Sequence, residues 1–261
     1  MAAFVIGIIN CALFLGTSVA VPNNDVDIKQ PIMSEVEFEA YKQQHPTEFS
    51  GLYQGDIDIS NFGSFRNLQQ GARKWPNNTV YFETEFFDLS ERVEIYKTMD
   101  ELTDATSGCI KFKIKSSNTK NFLSIGPHTR CFSSVGMVGG RQLVGLSFAC
   151  VKQRYTIMHE LLHALGFIHE QSRPDREQFV KVFWENVKPE ERHNFEIVQA
   201  DTLGTPYTYG SLMHYGVFAF SKNRISTIVP RQKDVEIGRN KLHPIDVERI
   251  KRLYGCMPKC Q

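Results

Sequence analysis

The 261-residue sequence predicts an α+β fold in two unlike halves with a cleft between them. Three observations predict it. Helical spacing and short strand-like runs share the stretch from about residue 75 to 166. Beyond Gly166 the chain is rich in loops until one late helical segment. Between the two lies "KQRYTIMHELLHALG", apolar on a wide face yet carrying two histidines. An apolar content of 41% and a charged content of 23% are those of a globular protein, without repeats or polar low-complexity tracts.

The first 22 residues contain no charged side chain and reach the small residues Ser18-Val19-Ala20. They read as a secretory signal, residues 1–20, with cleavage after Ala20; an uncleaved anchor is the other reading. Export makes the cysteines candidates for disulfides. Cys11 leaves with the signal, and five remain: Cys109, Cys131, Cys150, Cys256 and Cys260. Residues 21–66 carry eight acidic and three basic side chains, net −5, whereas the rest carries 27 basic and 21 acidic, net +6. An acidic leader before a basic body suggests a segment that docks; a solvated linker fits the same composition.

Within the leader, "SEVEFEAYKQQ" predicts a short helix, with Ser34 and Glu37 at capping-box spacing. "GLYQGDIDISNFGSF" reads as loop. "RKWPNNTVYFE" predicts a loop entering a strand, and Asn77 in "NNT" is a glycosylation candidate. "SERVEIYKTMDELTDATSG" predicts an amphipathic helix capped by Ser90, with Val93, Tyr96, Met99 and Leu102 inward and a glycine stop. "CIKFKIK" alternates and predicts a half-buried strand; "NFLSIG" and "LVGLSFAC" predict two more. "KQRYTIMHELLHALG" predicts a long buried helix ending at Gly166, and "HPIDVERIKRLYG" the late one.

The chemistry is concentrated in "HELLHALGFIHE". Residues four apart share one helix face, so His159 and His163 can present imidazoles to one ion. Gly166 can take positive φ and end the helix, which lets His169 swing back as a third ligand. Three histidines leave a fourth position for water, the catalytic arrangement of zinc, which lowers the pKa of that water to roughly 7. Glu160, next to a ligand, is placed to act as general base. With this composition a chance H-E-x-x-H occurs in roughly one such chain in sixty, whereas adding the glycine and third histidine reduces that to about four in a hundred thousand. The same ligands also suit a zinc-binding module without catalysis, or an amidase.

"HELLHALGFIHE", followed by "QSRPDR" and later by "SLMHY", resembles the astacin family of metzincin zinc endopeptidases. "RKWPNNTVYF", "SGCIKF", "RCFSSVGMVGGRQLVGLSFAC", "GTPYTYGSLMHYG" and "LYGC" extend the resemblance over residues 67 to 256. It implies a zincin-like catalytic domain of two subdomains at residues 67–261. The N-terminal half would hold a twisted, mostly antiparallel-edged sheet and two long helices. The C-terminal half would be irregular with a late helix. It further implies one Zn²⁺ per chain on His159, His163 and His169, with Glu160 as base. Met213 would be the Met-turn floor, and Tyr215 a tyrosine that can ligate zinc and later donate to the oxyanion. Glu170 would meet the amino terminus of the mature enzyme. The implied bridges are Cys109–Cys256 and Cys131–Cys150, with no partner for Cys260. The leader, residues 21–66, resembles a prosegment: "YQGD" places Asp56 as the aspartate that holds zinc in the zymogen, with Gly55 allowing a close backbone approach. The implied partners are protein or peptide substrates and an activating protease that cuts after Arg66. No nucleic acid is expected, and no membrane once the signal is gone. The resemblance thus implies a secreted, extracellular protease made as a zymogen.

Overall fold

The computed structural model describes residues 29–60, 73–238 and 240–257. The signal segment, the Arg66–Asn67 cleavage site and Cys260 lie outside these residues. Helix α1 (Glu35–Gln44) starts where expected: Ser34 Oγ accepts the Glu37 N–H, and the Glu37 carboxylate accepts the Ser34 N–H, a complete capping box. The chain then passes through a 3₁₀ turn (Pro46–Phe49) into the loop that carries Asp56.

The body opens with β1 (Thr79–Thr84), followed by α2 (Leu89–Ala105), β2 (Lys111–Ile114), β3 (Phe122–Pro127), β4 (Phe132–Ser133) and β5 (Arg141–Leu146). The five strands form one sheet in the order β2-β1-β3-β5-β4; β4 alone runs antiparallel, along one edge. Parallel neighbours need a crossover, and α2 supplies it between β1 and β2.

Three local readings differ from the structure. The cap of α2 is Asp88 rather than Ser90: Asp88 Oδ1 accepts the Glu91 N–H, and Ser90 Oγ leans on the same oxygen. The face it buries is therefore Ile95, Thr98, Met99 and Leu102, and Val93 stays exposed. β2 is an edge strand, so alternation there does not mean half-burial; Ile114 is 70% exposed. In "LVGLSFAC" the strand ends at Leu146, and Ser147 caps a helical turn, α3 (Phe148–Val151).

Helix α4 (Arg154–Leu165) crosses the first core with ten of its twelve residues buried, and Gly166 ends it at φ +112°. Beyond it the chain is irregular, apart from 3₁₀ turns, a two-stranded antiparallel ribbon of β6 (Val180–Val182) with β7 (Ile228–Pro230), and α5 (Pro244–Leu253). The sequence patterns did not announce that ribbon. Two apolar cores result. The first joins the sheet to α2, α4 and α5 and includes Met213; the second, with Phe195, Tyr207, Phe220 and Ile228, includes Tyr215. The segment from Met213 to Tyr215 thus lies on the seam between them. Both expected disulfides are present, and Cys109–Cys256 spans 147 residues to tie the end of α2 to the chain after α5. Among the described residues no helix is long and apolar enough to cross a membrane.

Candidate active site

His159 and His163 lie one turn apart on α4, and the left-handed Gly166 turns the chain so that His169 returns to face them. All three imidazoles are buried. Their Nδ1 atoms are committed elsewhere: to Leu212 O at 2.9 Å for His159, to Phe167 O at 2.7 Å for His163 and to Gln54 Oε1 at 3.0 Å for His169. Each Nδ1 therefore donates, which leaves Nε2 as a bare lone pair. The Nε2 atoms of His159 and His169 are 3.3 Å apart.

Asp56 completes the group. Its Oδ2 lies 3.0 Å from His159 Nε2, and its Oδ1 lies 3.2 Å from His163 Nε2 and 3.4 Å from His169 Nε2. One donor atom from each of the four buried residues falls within 4.8 Å of the others. Tetrahedral zinc with bonds of about 2.0–2.1 Å spaces its donors by roughly 3.3 Å, so the set fits that ion. His163 Nε2 and Asp56 Oδ1 are buried and make no hydrogen bond, as metal-directed atoms would be.

Glu160 directly follows His159 on α4, near enough to Asp56 to feel its charge. It is fully buried, and neither carboxylate oxygen has a hydrogen-bond partner among the described residues. Burial, and then the charge of Asp56, push its carboxyl well above the ordinary value. An orphaned carboxylate is costly to keep inside a protein, and such cost is commonly met where a proton must be exchanged. Met213 is buried in the first core, and Asp246 on α5 fixes its turn by accepting Ser211 Oγ at 2.6 Å and the Leu212 N–H at 2.9 Å. Tyr215 donates its hydroxyl to Gln54 O at 2.7 Å, and burial followed by Asp56 holds that hydroxyl well above its ordinary pKa. His214 accepts from the Tyr207 hydroxyl at 2.6 Å and donates Nδ1–H to Tyr215 O at 2.8 Å. Glu170 is buried against Arg249 rather than facing solvent. Asn77 is exposed at the start of β1.

The leader occupies the cleft. Ile57 bridges in parallel to Ser133 of the β4 edge, with Asp58 N–H donating to Ser133 O at 3.0 Å and Ser133 N–H to Asp56 O at 3.1 Å. Gly55 has φ +85°, and a Cβ there would stand 2.8 Å from Thr47 O. Its smallness thus serves the leader's own tight turn, not an approach to the ligands. Two leader residues escaped the sequence reading. Gln54 is wholly buried, and besides its contacts to His169 and Tyr215 it donates Nε2–H to Ser172 Oγ at 2.9 Å. Glu48 accepts the Tyr41 hydroxyl and the Gly216 N–H, each at 2.6 Å, and burial pushes its carboxyl up to about 8. A cavity of about 40 Å³ is left beside it, between His45, Thr156, His159 and His214.

Comparison with known proteins agrees with this geometry. Residues 67–255 match the family model of astacin, peptidase family M12A. The low choriolytic enzyme of Oryzias latipes is 41% identical over 192 residues, which cover 70% of this chain and 69% of that protein. The astacin-like metalloendopeptidase of Mus musculus is 35% identical over 253 residues, 92% of this chain but 57% of the mouse protein. Among solved structures, high choriolytic enzyme 1 of Oryzias latipes, a hatching enzyme zinc-protease, is similar at a TM-score of 0.66 and 34% identity; the match covers 71% of this chain and 94% of that one. The chain belongs to the astacin family and is a zinc metalloendopeptidase.

Proposed function

We propose that the chain is a secreted endopeptidase made as a zymogen, with residues 1–20 as signal, 21–66 as prosegment and 67–261 as protease. The observation that carries the zymogen reading is the Asp56 carboxylate, 3.0–3.4 Å from the Nε2 atoms of His159, His163 and His169 while the unpartnered Glu160 waits beside them. These three histidines would hold one zinc ion, and in the precursor the Asp56 carboxylate would keep the attacking water out. The chemistry the ion supplies is polarisation of a carbonyl and acidification of water.

The chain's own residues do the rest. Cleavage after Arg66 releases the leader and removes Asp56 from the cleft. Glu160, kept proton-hungry by burial, accepts the proton of the attacking water and returns it to the leaving amine. Tyr215, released from Gln54 O, turns its hydroxyl to the developing oxyanion. Tyr215→Phe is accordingly expected to lower kcat more than it raises KM. Substrates are proteins or peptides laid along the β4 edge, where the leader now lies, and Asn77 is exposed enough to take a glycan.

A gelatin zymogram of precursor and trypsin-treated precursor, each with and without chelator, tests the reading. Hydrolysis only after trypsin, and only without chelator, is the expected result. Equal activity before and after trypsin would sink the zymogen assignment. Zinc binding with no hydrolysis under any condition would favour a binding module.

A further inference from the structure

Nine non-glycine residues among those described have φ in the left-handed region. Only two of the nine are buried, Gln54 at φ +47° and Phe220 at φ +55°, and both touch Tyr215. A bulky L-residue is strained in that region, and the strain persists only where surrounding contacts over-determine the backbone. Around Phe220 they do. Its carbonyl accepts the Lys188 N–H at 3.0 Å, the Ala219 carbonyl accepts the Thr227 hydroxyl at 2.7 Å, and the Ser221 N–H donates to Phe218 O at 3.1 Å. Glycine would meet the same geometry without strain. The reason for phenylalanine therefore lies in its ring.

That ring stands edge-on to Tyr215, with centroids 5.5 Å apart and planes at 61°. Phe195 meets Tyr215 in the same manner at 5.7 Å, and the two phenylalanines are 5.9 Å apart. The Tyr215 backbone is pinned on both sides: Gln171 Oε1 accepts its N–H at 3.0 Å, and His214 donates Nδ1–H to its carbonyl at 2.8 Å. Its hydroxyl, in contrast, is tied to the leader through Gln54 O. With the leader gone, the direction of the phenol is set by packing against Phe195, Phe220 and His169, the last at 4.7 Å.

Resting on the reading of Tyr215 given above, we propose that Phe220 is a positioning residue for the catalytic step: its ring holds the freed Tyr215 phenol to the direction in which the hydroxyl serves the oxyanion. The strained backbone is kept because it sends the ring edge-on against Tyr215. The two buried left-handed residues then act on one side chain in turn, Gln54 by holding its hydroxyl in the precursor and Phe220 by aiming it in the matured enzyme.

The test is a double-mutant cycle on the full-length precursor matured with trypsin, with rates normalised to bound zinc: wild type, Phe220→Leu, Tyr215→Phe and the double variant. The Phe220 ring also meets Phe49 of the leader at 6.3 Å, so the cycle is read on the matured enzyme. Phe220→Leu is expected to lower kcat about fivefold to tenfold, with KM within about twofold. In the Tyr215→Phe background the same substitution is expected to change kcat by less than about twofold, because no hydroxyl is left to aim. Lost core packing would act equally in both backgrounds, and that result overturns the proposal. So does a Phe220→Leu enzyme with undiminished kcat, or one in which only KM rises. If Phe220→Leu gives no folded, zinc-loaded enzyme, Phe220→Met, which refills the space with a flexible side chain, is read by the same cycle. Failure of both to fold overturns the proposal by making Phe220 a residue of the core alone. A Tyr215→Phe enzyme with full kcat sinks the reading of Tyr215 and this inference with it. A reduced kcat in Tyr215→Phe whose loss simply multiplies with that of Phe220→Leu sinks this inference only.

Discussion

The leader and the body are held in different ways. Helix α4 of the body buries ten of its twelve residues, six of them in the apolar core: Ile157, Met158, Leu161, Leu162, Ala164 and Leu165. Helix α1 of the leader buries only Tyr41, and its Val36 is 80% exposed. Outside α1 the leader's hold joins a small apolar contact, Ile57 packed with Val135 and Ile168, to three polar residues, Glu48, Gln54 and Asp56, none more than 3% exposed and all hydrogen-bonded or ion-paired to the body. Apolar burial is cooperative and non-directional, whereas polar contacts act at single points. A segment that leaves, as proposed for the leader, is better held by the second kind. Once it goes, the polar groups re-solvate, and the cleft does not become a large apolar patch of the sort that promotes association.

The sharpest contrast is between two buried carboxylates, Glu160 of the body and Asp56 of the leader. Glu160→Ala should lower kcat of the matured enzyme by about 10²–10⁴-fold while zinc content stays unchanged, because the role proposed for Glu160 is that of base and not of ligand. A variant that loses its metal, or keeps most of its rate, would show the assignment to be wrong.

Stability separates the regions next. Leu162, 1% exposed in α4, should cost about 2–5 kcal/mol when replaced by alanine. Val36→Ala in α1 should stay within about 0.5 kcal/mol. Urea denaturation of the precursor measures both, and equal losses would mean that the leader is part of the apolar core after all.

Asp56→Ala should release the cleft without unfolding anything. Loss of a charge-assisted contact worth about 1.5–3 kcal/mol weakens the leader's hold by roughly 10–100-fold. The uncut precursor should then hydrolyse peptides measurably, where the wild-type precursor is silent. Silence in both would assign latency to bulk occlusion by the rest of the leader.

The difference between the regions also governs what was legible in the sequence. The two α4 ligands, the Gly166 stop and the return of His169 follow from helix geometry within eleven residues, so spacing alone places them. Asp56 lies 103 residues from His159 and was reached only through a family resemblance. Gln54 occupies the variable position of the same motif, where any residue reads as acceptable, yet it contacts His169, Ser172 and Tyr215. Asp246 and Arg249 look in sequence like a surface pair three residues apart. They do stand 3.6 Å apart, but the pair is buried, and its hydrogen-bond partners Leu212 and Glu170 are 34 and 79 residues away, beyond any local pattern. The edge position of β2 escaped for a related reason: alternation reports two unlike faces but not how many neighbours a strand has. Glu48 was the least visible, one acid among eight in an acidic leader.

Glu48 is also where the smallest and most discriminating effect is expected. Burial holds its carboxyl at about 8, so at neutral pH it is mainly the neutral acid when docked. Glutamine keeps the shape and an acceptor oxygen for the Gly216 N–H. Alanine leaves that N–H and the Tyr41 hydroxyl unpaired in a buried place, at about 1–3 kcal/mol. The ratio of uncut to matured activity should therefore rise by about 5–100-fold in Glu48→Ala and no more than about twofold in Glu48→Gln. The pH dependence has a definite sign. The docked carboxyl sits above its ordinary value of 4.5, so its contribution to docking is complete below 4.5 and is lost as pH rises through about 8. The wild-type ratio should then rise with pH across that window, and the Glu48→Gln ratio should stay flat. Matching losses in the alanine and glutamine variants would mean that Glu48 is ionised when docked. No change in either would place the leader's hold at Gln54 and Asp56 alone, a latch at the ligands rather than along the cleft.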